Sequence, residues 1–432
     1  MPNKLRIGVL FGGRSAEHEV SIQSARNIMA AADPNKYEII PIGITKEGQW
    51  RVGEEALQLL ANPEWSTSPT GKGMLAAQPG TLTSEVSNVR QVVTDAGSTG
   101  PEPTRSEPAG FGMPALGWEQ AVLEKGQEVI LASNPGAESS LIPIQEPGDA
   151  PRWGKLDGIF PVLHGTFGED GTIQGLLELA GVPYVGAGVL GSAVGMDKEV
   201  MKRLFHERGL PFVPYLAVRR ARFEAAPLRT CQTIEKQFSY PVFVKPANLG
   251  SSVGINKAHN RKELQAALAI AARYDRKVLV ERAIQGRELE CSVLGNDEPQ
   301  ASIPGEIVPA GEFYDYAAKY LEDSARLIVP APLRPAQVKR VQRLAIEAFQ
   351  ATECAGMARV DFFLEKKTGK IYLNEINTIP GFTSISMYPR LWEASGIPYP
   401  KLIDRLIELA FERHKEKTRT QFSFVPTEKR SR

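Results

Sequence analysis

Four side chains near the C-terminal end have the types and spacing to hold a hard metal ion beside a transferring anion: Arg359, Asp361, Glu375 and Asn377. They sit on two strand-like runs, Arg359 to Glu365 and Lys370 to Asn377, joined by the turn Lys366-Lys367-Thr368-Gly369. As a hairpin, these runs place Asp361 opposite Glu375 and Arg359 opposite Asn377. Side chains alternate faces along a strand, so the four share one face while Val360, Phe362, Tyr372 and Ile376 take the other. Carboxylate and amide oxygens suit Mg²⁺, which prefers octahedral oxygen coordination and borrows further ligands from substrate phosphates. An arginine beside them would neutralise charge on a phosphoryl group in flight. A solvated hairpin edge gives the same pattern, and spacing alone does not separate the two.

Three further segments could meet a ligand. In PVFVKPANLGSSVG, residues 241–254, a strand ends in Lys245 and a glycine loop containing Ser251 and Ser252 follows. Backbone N–H groups and two hydroxyls in such a loop can fold over phosphate oxygens, although it is not a Walker A loop and a plain hairpin turn would look alike. The first strand runs into Gly12-Gly13-Arg14-Ser15-Ala16-Glu17-His18-Glu19, which lacks the G-x-G-x-x-G spacing of a dinucleotide site. There Glu17 either meets a ligand or serves the following helix N-terminus through its macrodipole. His164-Gly165-Thr166-Phe167-Gly168-Glu169-Asp170-Gly171 also follows a strand, and a lone histidine at a strand end is more often structural than catalytic.

The elements that must position these groups read as an α/β opening followed by strand-rich segments. Residues 5–10 form a buried strand, a helix spans roughly Val20 to Ala32, and Tyr37 to Ile44 returns as a second strand. From about Ser66 to Gly112 the chain is rich in Ser, Thr, Pro and Gly with little hydrophobic periodicity, the signature of a flexible surface insertion. QEVILAS and LDGIFPVLHG resume the strands, and a helix carries Leu176, Leu177 and Leu179. Helices are expected at 198–209, 261–273, 335–351 and 399–414, with strands at Tyr240 to Lys245, Val278 to Glu281 and GRELECSVLG. After Glu412 charges alternate without an apolar stripe, so the tail is expected to fray.

Composition bounds the rest. At 432 residues the chain exceeds the roughly 250–300 residues of a single hydrophobic core, so two or three domains are expected. The 51 basic and 50 acidic side chains nearly cancel, leaving no global field to select nucleic acid or an anionic membrane. No segment approaches the ~20 apolar residues of a membrane span, and the start lacks a secretory signal. Cys231, Cys291 and Cys354 are far apart and form no metal or disulfide pattern, which fits a reducing cytoplasm.

Together, GGRSAEHEVS, HGTFGEDGTIQG, KPANLGSSVG, FYDYAAKY, ARVDFF and NEINTIPGFTSISMYP resemble the motifs of the D-alanine:D-alanine ligases of the ATP-grasp superfamily, in the same order. The resemblance implies an ATP-grasp fold preceded by a Rossmann-like α/β domain, with the C-terminal half α+β. It divides the chain at about 1–187, 188–282 and 283–415, with a charged tail at 416–432. It also implies that ATP lies between two antiparallel sheets and that two D-alanine molecules are joined through a D-alanyl phosphate for peptidoglycan precursor synthesis. ADP and phosphate are the by-products.

By residue, the resemblance makes Asp361, Glu375 and Asn377 ligands of two Mg²⁺ ions, with Mn²⁺ able to substitute. It makes Lys198 and Lys245 phosphate contacts, joined by Ser251 and Ser252, and Glu281 and Glu288 recognise adenine and ribose. Glu17, with His164 nearby, holds the ammonium of the first D-alanine; Ser251 and Tyr320 complete a hydrogen-bonded group with Glu17. Lys319 and Tyr320 lie on the closing loop FYDYAAKY. Ser386 and the backbone at Met387 receive the second carboxylate, and Arg359 stabilises the tetrahedral oxyanion and phosphate. A homodimer is implied. A D-alanine:D-lactate ligase of the same fold is the nearest alternative, disfavoured by Tyr320. A catalytically silent nucleotide-binding regulator is a second, disfavoured by the intact metal residues. The long segment between Trp50 and Phe160 is where the chain departs from the motif pattern.

Overall fold

The computed structural model describes residues 4–53, 118–133, 140–144, 154–250, 253–308, 326–383 and 385–421. The expected insertion at 66–112, Ser251, Ser252, Lys319, Tyr320 and the end of the charged tail lie outside the described residues.

The first sheet contains β1 (Leu5–Gly12), β2 (Tyr37–Ile44), β3 (Trp50–Val52), β4 (Gln127–Leu131), β5 (Leu141–Pro143) and β6 (Gly158–Pro161), in the order β5-β4-β3-β2-β1-β6. β1 lies parallel to both β2 and β6, while the β3 to β5 side is antiparallel. The crossover from β1 to β2 is α1 (His18–Ala31), which buries Ser21, Ser24, Ala25 and Ile28 at helical spacing against the sheet. β1 is apolar on both faces because it is central: Val9, Leu10 and Phe11 are all inaccessible to solvent. Helix α2 (Trp118–Lys125) supports the β2 and β3 side, and α3 (Thr172–Ala180) follows β6.

After α4 (Val189–Met196) and α5 (Lys198–Glu207), a four-stranded antiparallel sheet forms from β7 (Tyr215–Arg219), β8 (Val242–Pro246), β9 (Asn256–Ala258) and β10 (Lys277–Arg282), ordered β7-β10-β8-β9. Short helices α6 (Arg220–Ala225) and α7 (Pro227–Glu235) lie between β7 and β8. Its cover is α8 (Arg261–Tyr274), whose Leu264, Ala267, Leu268 and Ala271 make the apolar stripe. Asn260 caps α8, its side chain accepting the Glu263 N–H at 3.0 Å while Glu263 reaches back to the His259 N–H at 2.8 Å.

The third sheet is also antiparallel. It comprises β11 (Gly286–Gly295), β12 (Gln300–Ala301), β13 (Gly305–Val308), β14 (Arg326–Ile328), β15 (Gly356–Glu365) and β16 (Ile371–Asn377), ordered β14-β13-β11-β15-β16 with β12 on β11. Helix α9 (Pro335–Ala351) packs Val341, Leu344, Ala345 and Ala348 onto Leu289, Cys291, Val360 and Phe362, so one face of this sheet is core and the other is free for polar groups. The chain closes with α10 (Met387–Ala394) and α11 (Tyr399–Lys417). α11 returns to the first sheet, burying Leu402, Leu406 and Ile407 in the cluster that holds Ile7, Val9 and Phe11.

Two expectations need correction. The chain does not fray after Glu412: α11 runs to Lys417, because Arg413 donates to the carbonyls of Gly186 and Tyr184 and its guanidinium carbon lies 4.3 Å from the Tyr184 ring centre. These partners are more than two hundred residues away, so no local pattern announces them. The β15–β16 hairpin keeps the expected pairs Asp361↔Glu375 and Arg359↔Asn377, but a bulge follows and Phe362 pairs with Leu373. Asn374 is the extra residue, so Leu373 joins the apolar face in place of Tyr372. Among the described residues, no helix is long and apolar enough to cross a membrane.

Candidate active site

Residues from the units built on all three sheets line one cleft open to solvent. Glu17, His164 and Glu169 come from the first unit, Lys198 and Gly250 from the second, and Arg359, Glu375, Asn377 and the turn Thr378 to Gly381 from the third. Asp361, Lys245, Glu281, Glu288, Ser386 and Met387 are not part of that lining.

On the polar face of the third sheet, Arg359 forms a two-pronged pair with Asp361, Nε to Oδ1 and Nη2 to Oδ2, both at 2.8 Å. Asn377 Nδ2 donates to Asp361 Oδ2 at 3.0 Å, which leaves the Asn377 amide oxygen turned away from Asp361. Sequence reasoning missed Glu290 on β11, which faces Asp361 across the sheet and sets Oε2 3.1 Å from Arg359 Nε. Burial opposes the Arg359 charge, but Asp361 and Glu290 outweigh it, so the guanidinium holds its proton more firmly than usual.

Among the described residues, no three His, Cys, Asp or Glu side chains converge into a metal cage. The donor set instead fits a metal shared with phosphates. A carboxylate offers about four lone-pair sites, of which Asp361 uses three on Arg359 and Asn377. One Asp361 site, the Asn377 oxygen and Glu375, which also pairs with Lys198, are hard oxygen donors on one face, the partial shell in which Mg²⁺ keeps room for substrate oxygens.

Lys198 opens α5, whose cap is Asp197: its Oδ1 accepts the N–H groups of Glu199 and Val200, each at 3.0 Å. From there Lys198 Nζ donates to the Leu249 carbonyl at 2.9 Å and stands 3.3 Å from Glu375 Oε2, tying the glycine loop to β16. Lys245 on β8 and Glu281 on β10 are diagonal neighbours on one face, 2.7 Å apart. Lys245 also donates to Asn374 Oδ1 at 3.2 Å, so the bulge residue bridges the second and third sheets. Glu288 is half-buried on the face of β11 that carries Glu290, close enough for its charge to favour the Lys245 ammonium. Lys202, also missed, lies on α5 with its ammonium 3.0 Å from Glu281 and its hydrogen bond on the Asn374 carbonyl at 2.9 Å.

Around the other end, Glu17 is 9% exposed at the entry to α1. A Cβ at Gly165 would come within 2.9 Å of Glu17 Oε2, and one at Gly250 within 3.1 Å, so both glycines admit the carboxylate. His164 is buried and spent on protein partners: Nδ1 on the Ile379 carbonyl at 3.0 Å and Nε2 against Ser24 Oγ at 3.3 Å. Burial pushes its pKa below the usual imidazole value, with Glu17 acting in the opposite direction. Glu169, a third missed residue, accepts the N–H groups of Gly165 and Ile379 at 2.9 and 3.0 Å. Ser386 precedes α10 and lies over Gly381, its Oγ accepting the Thr383 N–H at 3.0 Å. The Met387 side chain packs into a small apolar cluster with Ile307 and Leu391, leaving only its backbone for a ligand.

Comparison with known proteins agrees along the whole chain. The family models described as D-ala D-ala ligase N-terminus and C-terminus match residues 6–187 and 204–408. The D-alanine–D-alanine ligase of Acetivibrio thermocellus is 46% identical over 418 residues, covering 96% of this chain and 98% of that one. Such coverage leaves no room for the long segment between Trp50 and Phe160 to be peculiar to this chain. Among solved structures, the D-alanine-D-alanine ligase from Coxiella burnetii superposes with a TM-score of 0.73 at 35% identity, covering 96% of each chain. The VanG D-Ala:D-Ser ligase from Enterococcus faecalis gives 0.71 at 33%, covering 94% of this chain and all of that one. The two antiparallel sheets are therefore the ATP-grasp pair, and the chain belongs to the D-alanine–D-alanine ligase family of ATP-dependent ligases.

Proposed function

We propose that the protein joins two D-alanine molecules into D-alanyl-D-alanine, converting ATP to ADP and phosphate, in the synthesis of peptidoglycan precursors. One observation supports this most: Glu17, Lys198, Arg359, Glu375 and Asn377, from three separate units, line the same cleft. A site that activates one amino acid and presents a second needs an ammonium partner, a phosphate grip and a metal wall within reach of each other.

A carboxylate lacks a leaving group that an amine can displace at neutral pH, and transfer of the γ-phosphoryl group supplies one. Glu17 would hold the ammonium of the first D-alanine, placing its carboxylate toward Arg359. Lys198 and Lys245 would hold the phosphates, assisted by Ser251, Ser252 and Lys319. Glu281 and Glu288 would take adenine and ribose. Asp361, Glu375 and Asn377 would bind Mg²⁺, two ions in the full complex with Mn²⁺ as a substitute, which neutralises phosphate charge when bound. Arg359 would then stabilise the oxyanion as the second amine attacks the D-alanyl phosphate and phosphate leaves. Ser386 and the Met387 amide at the start of α10 would receive the second carboxylate. Ser251 and Tyr320 would orient Glu17, and His164 would position the turn beneath the substrates.

We place the divisions near 187, 282 and 415, and propose a cytoplasmic homodimer with no nucleic-acid or membrane partner. Purified protein with ATP, Mg²⁺ and D-alanine should release phosphate and D-alanyl-D-alanine in equal amounts. D-lactate and D-serine serve as competing acceptors because one structural relative is a D-Ala:D-Ser ligase. Phosphate release without dipeptide, or preferential D-serine or D-lactate product, would overturn the acceptor assignment.

A further inference from the structure

We propose that Glu169 is a positioning residue which, together with His164, grips the Ile379 backbone at both its N–H and its C=O and so sets the distance between the two halves of the reacting centre; the proposal rests on the ligase reading above. The grip is complete. The Ile379 N–H donates to Glu169 Oε1 at 3.0 Å, and the Ile379 carbonyl accepts from His164 Nδ1 at 3.0 Å. Glu169 Oε2 accepts the Gly165 N–H at 2.9 Å, so one carboxylate joins a backbone of the first unit to a backbone of the third.

Hydrogen-bond polarity fixes the histidine tautomer. A carbonyl can only accept, so the proton is on His164 Nδ1, and in the neutral ring that burial favours Nε2 is the acceptor. Ser24 Oγ, 3.3 Å from Nε2, therefore donates to the ring while accepting the Phe382 N–H at 3.2 Å. Asn27 Nδ2 donates to the Phe382 carbonyl at 3.1 Å. Two residues of one turn, Ile379 and Phe382, thus have both their N–H and their C=O groups held by side chains of the first unit.

That turn runs from Asn377 on the metal wall to Ser386 at the acceptor end, and Gly165 on the other side of Glu169 abuts Glu17. Glu169 consequently spans the ammonium partner of the first substrate and the segment that carries the metal and the second substrate. Displacing reacting groups by an ångström costs about 100-fold in rate. Glu169→Gln turns one acceptor into an NH₂ donor facing a backbone N–H, which breaks one arm of the grip while preserving volume. Glu169→Asp keeps both acceptors but shortens their reach.

Two measurements test this. Amide hydrogen exchange at Ile379 should be slow in the native protein and at least ~10-fold faster in Glu169→Gln, a readout independent of which substrate the enzyme uses. Steady-state kinetics should show kcat lowered about 100-fold and the D-alanine KM raised, with the ATP KM little changed; Glu169→Asp should fall between. Unchanged exchange in both variants overturns the grip. Equal increases in the KM of ATP and of D-alanine overturn its positioning role. Should Glu169→Gln fail to fold, the same two criteria apply to Glu169→Asp. Dipeptide formation by the native protein in the same assay tests the ligase reading separately.

Discussion

Lys202 and Glu281 place opposite charges 3.0 Å apart where solvent does not reach, their side chains being 0% and 2% exposed. Lys245 holds the other oxygen of the same carboxylate at 2.7 Å, so two ammonium groups share one negative charge. The two respond differently. Burial lowers the Lys202 pKa, whereas for Lys245 the charges of Glu281 and Glu375 outweigh burial and raise it. Lys202 thus anchors Glu281 from behind, and the two ammonium groups together outweigh its one negative charge.

Lys202→Met should therefore destabilise the protein, because removing one partner of a buried pair costs about 3 kcal/mol, here partly offset by Lys245. The double variant Lys202→Met/Glu281→Gln should regain part of the loss in thermal unfolding. Equal melting temperatures for native protein and Lys202→Met would contradict the pairing.

Asp361→Ala and Glu375→Ala should each abolish dipeptide formation, with a loss of at least ~10³-fold in kcat, while the protein still folds, Asp361→Ala at a lower melting temperature because Arg359 loses its two-pronged partner. The folding argument is geometric: both side chains stand on the polar face of β15 and β16, opposite the core of Val360, Phe362, Leu373 and Ile376. Near-normal turnover in either variant would remove that residue from the metal wall.

Although the four-residue turn alone would align Asp361 with Asn374 and only the bulge shifts the register by one residue, the pairing of Asp361 with Glu375 and of Arg359 with Asn377 was read from the sequence. Glu290 was not, since β11 joins β15 through sheet order and a separation of some seventy residues rather than a turn. Lys202 carries a residue type that reads as the solvated face of a helix, yet it lies beside Met201 and Phe205 on the buried side of α5. Glu169 follows a glycine and precedes an aspartate, a surface-turn context; only its partner Ile379, distant in sequence, makes it part of the site. The motif resemblance singled out Glu17 and Ser386, whose spacing alone pointed to nothing specific; Glu17 lines the cleft and Ser386 does not.

Asn374 gives a sharper test of the bulge. Asn374→Ala removes the Lys245 acceptor but keeps the backbone carbonyl that Lys202 uses, so it should raise the ATP KM several-fold and leave folding intact. Deleting Asn374 removes the extra residue itself. Residues 371–376 would then alternate without interruption, keeping Ile371, Leu373 and Ile376 on the core face, so soluble protein should remain while the Lys245 contact is lost. Loss of soluble protein after the deletion would show that the hairpin requires the bulged register.

Glu169 also predicts a pH dependence whose sign is fixed. Burial first, and then the charge of Glu17, push its pKa from 4.5 up to about 7, against the lowering effect of the Gly165 and Ile379 N–H groups and of Arg359. Between those values the folded protein keeps a proton that the unfolded chain has released. Stability from this group is therefore present in full below 4.5, falls as pH rises, and is gone above about 7. Glu169→Gln has no proton to lose there. Measured from about pH 5 to about pH 8, the native melting temperature should fall relative to that of Glu169→Gln by a few degrees. Titrations common to both proteins cancel in the difference. A constant difference across this range would place the Glu169 pKa at its ordinary value and leave the carboxylate ionised throughout, as a fixed acceptor for both backbone N–H groups.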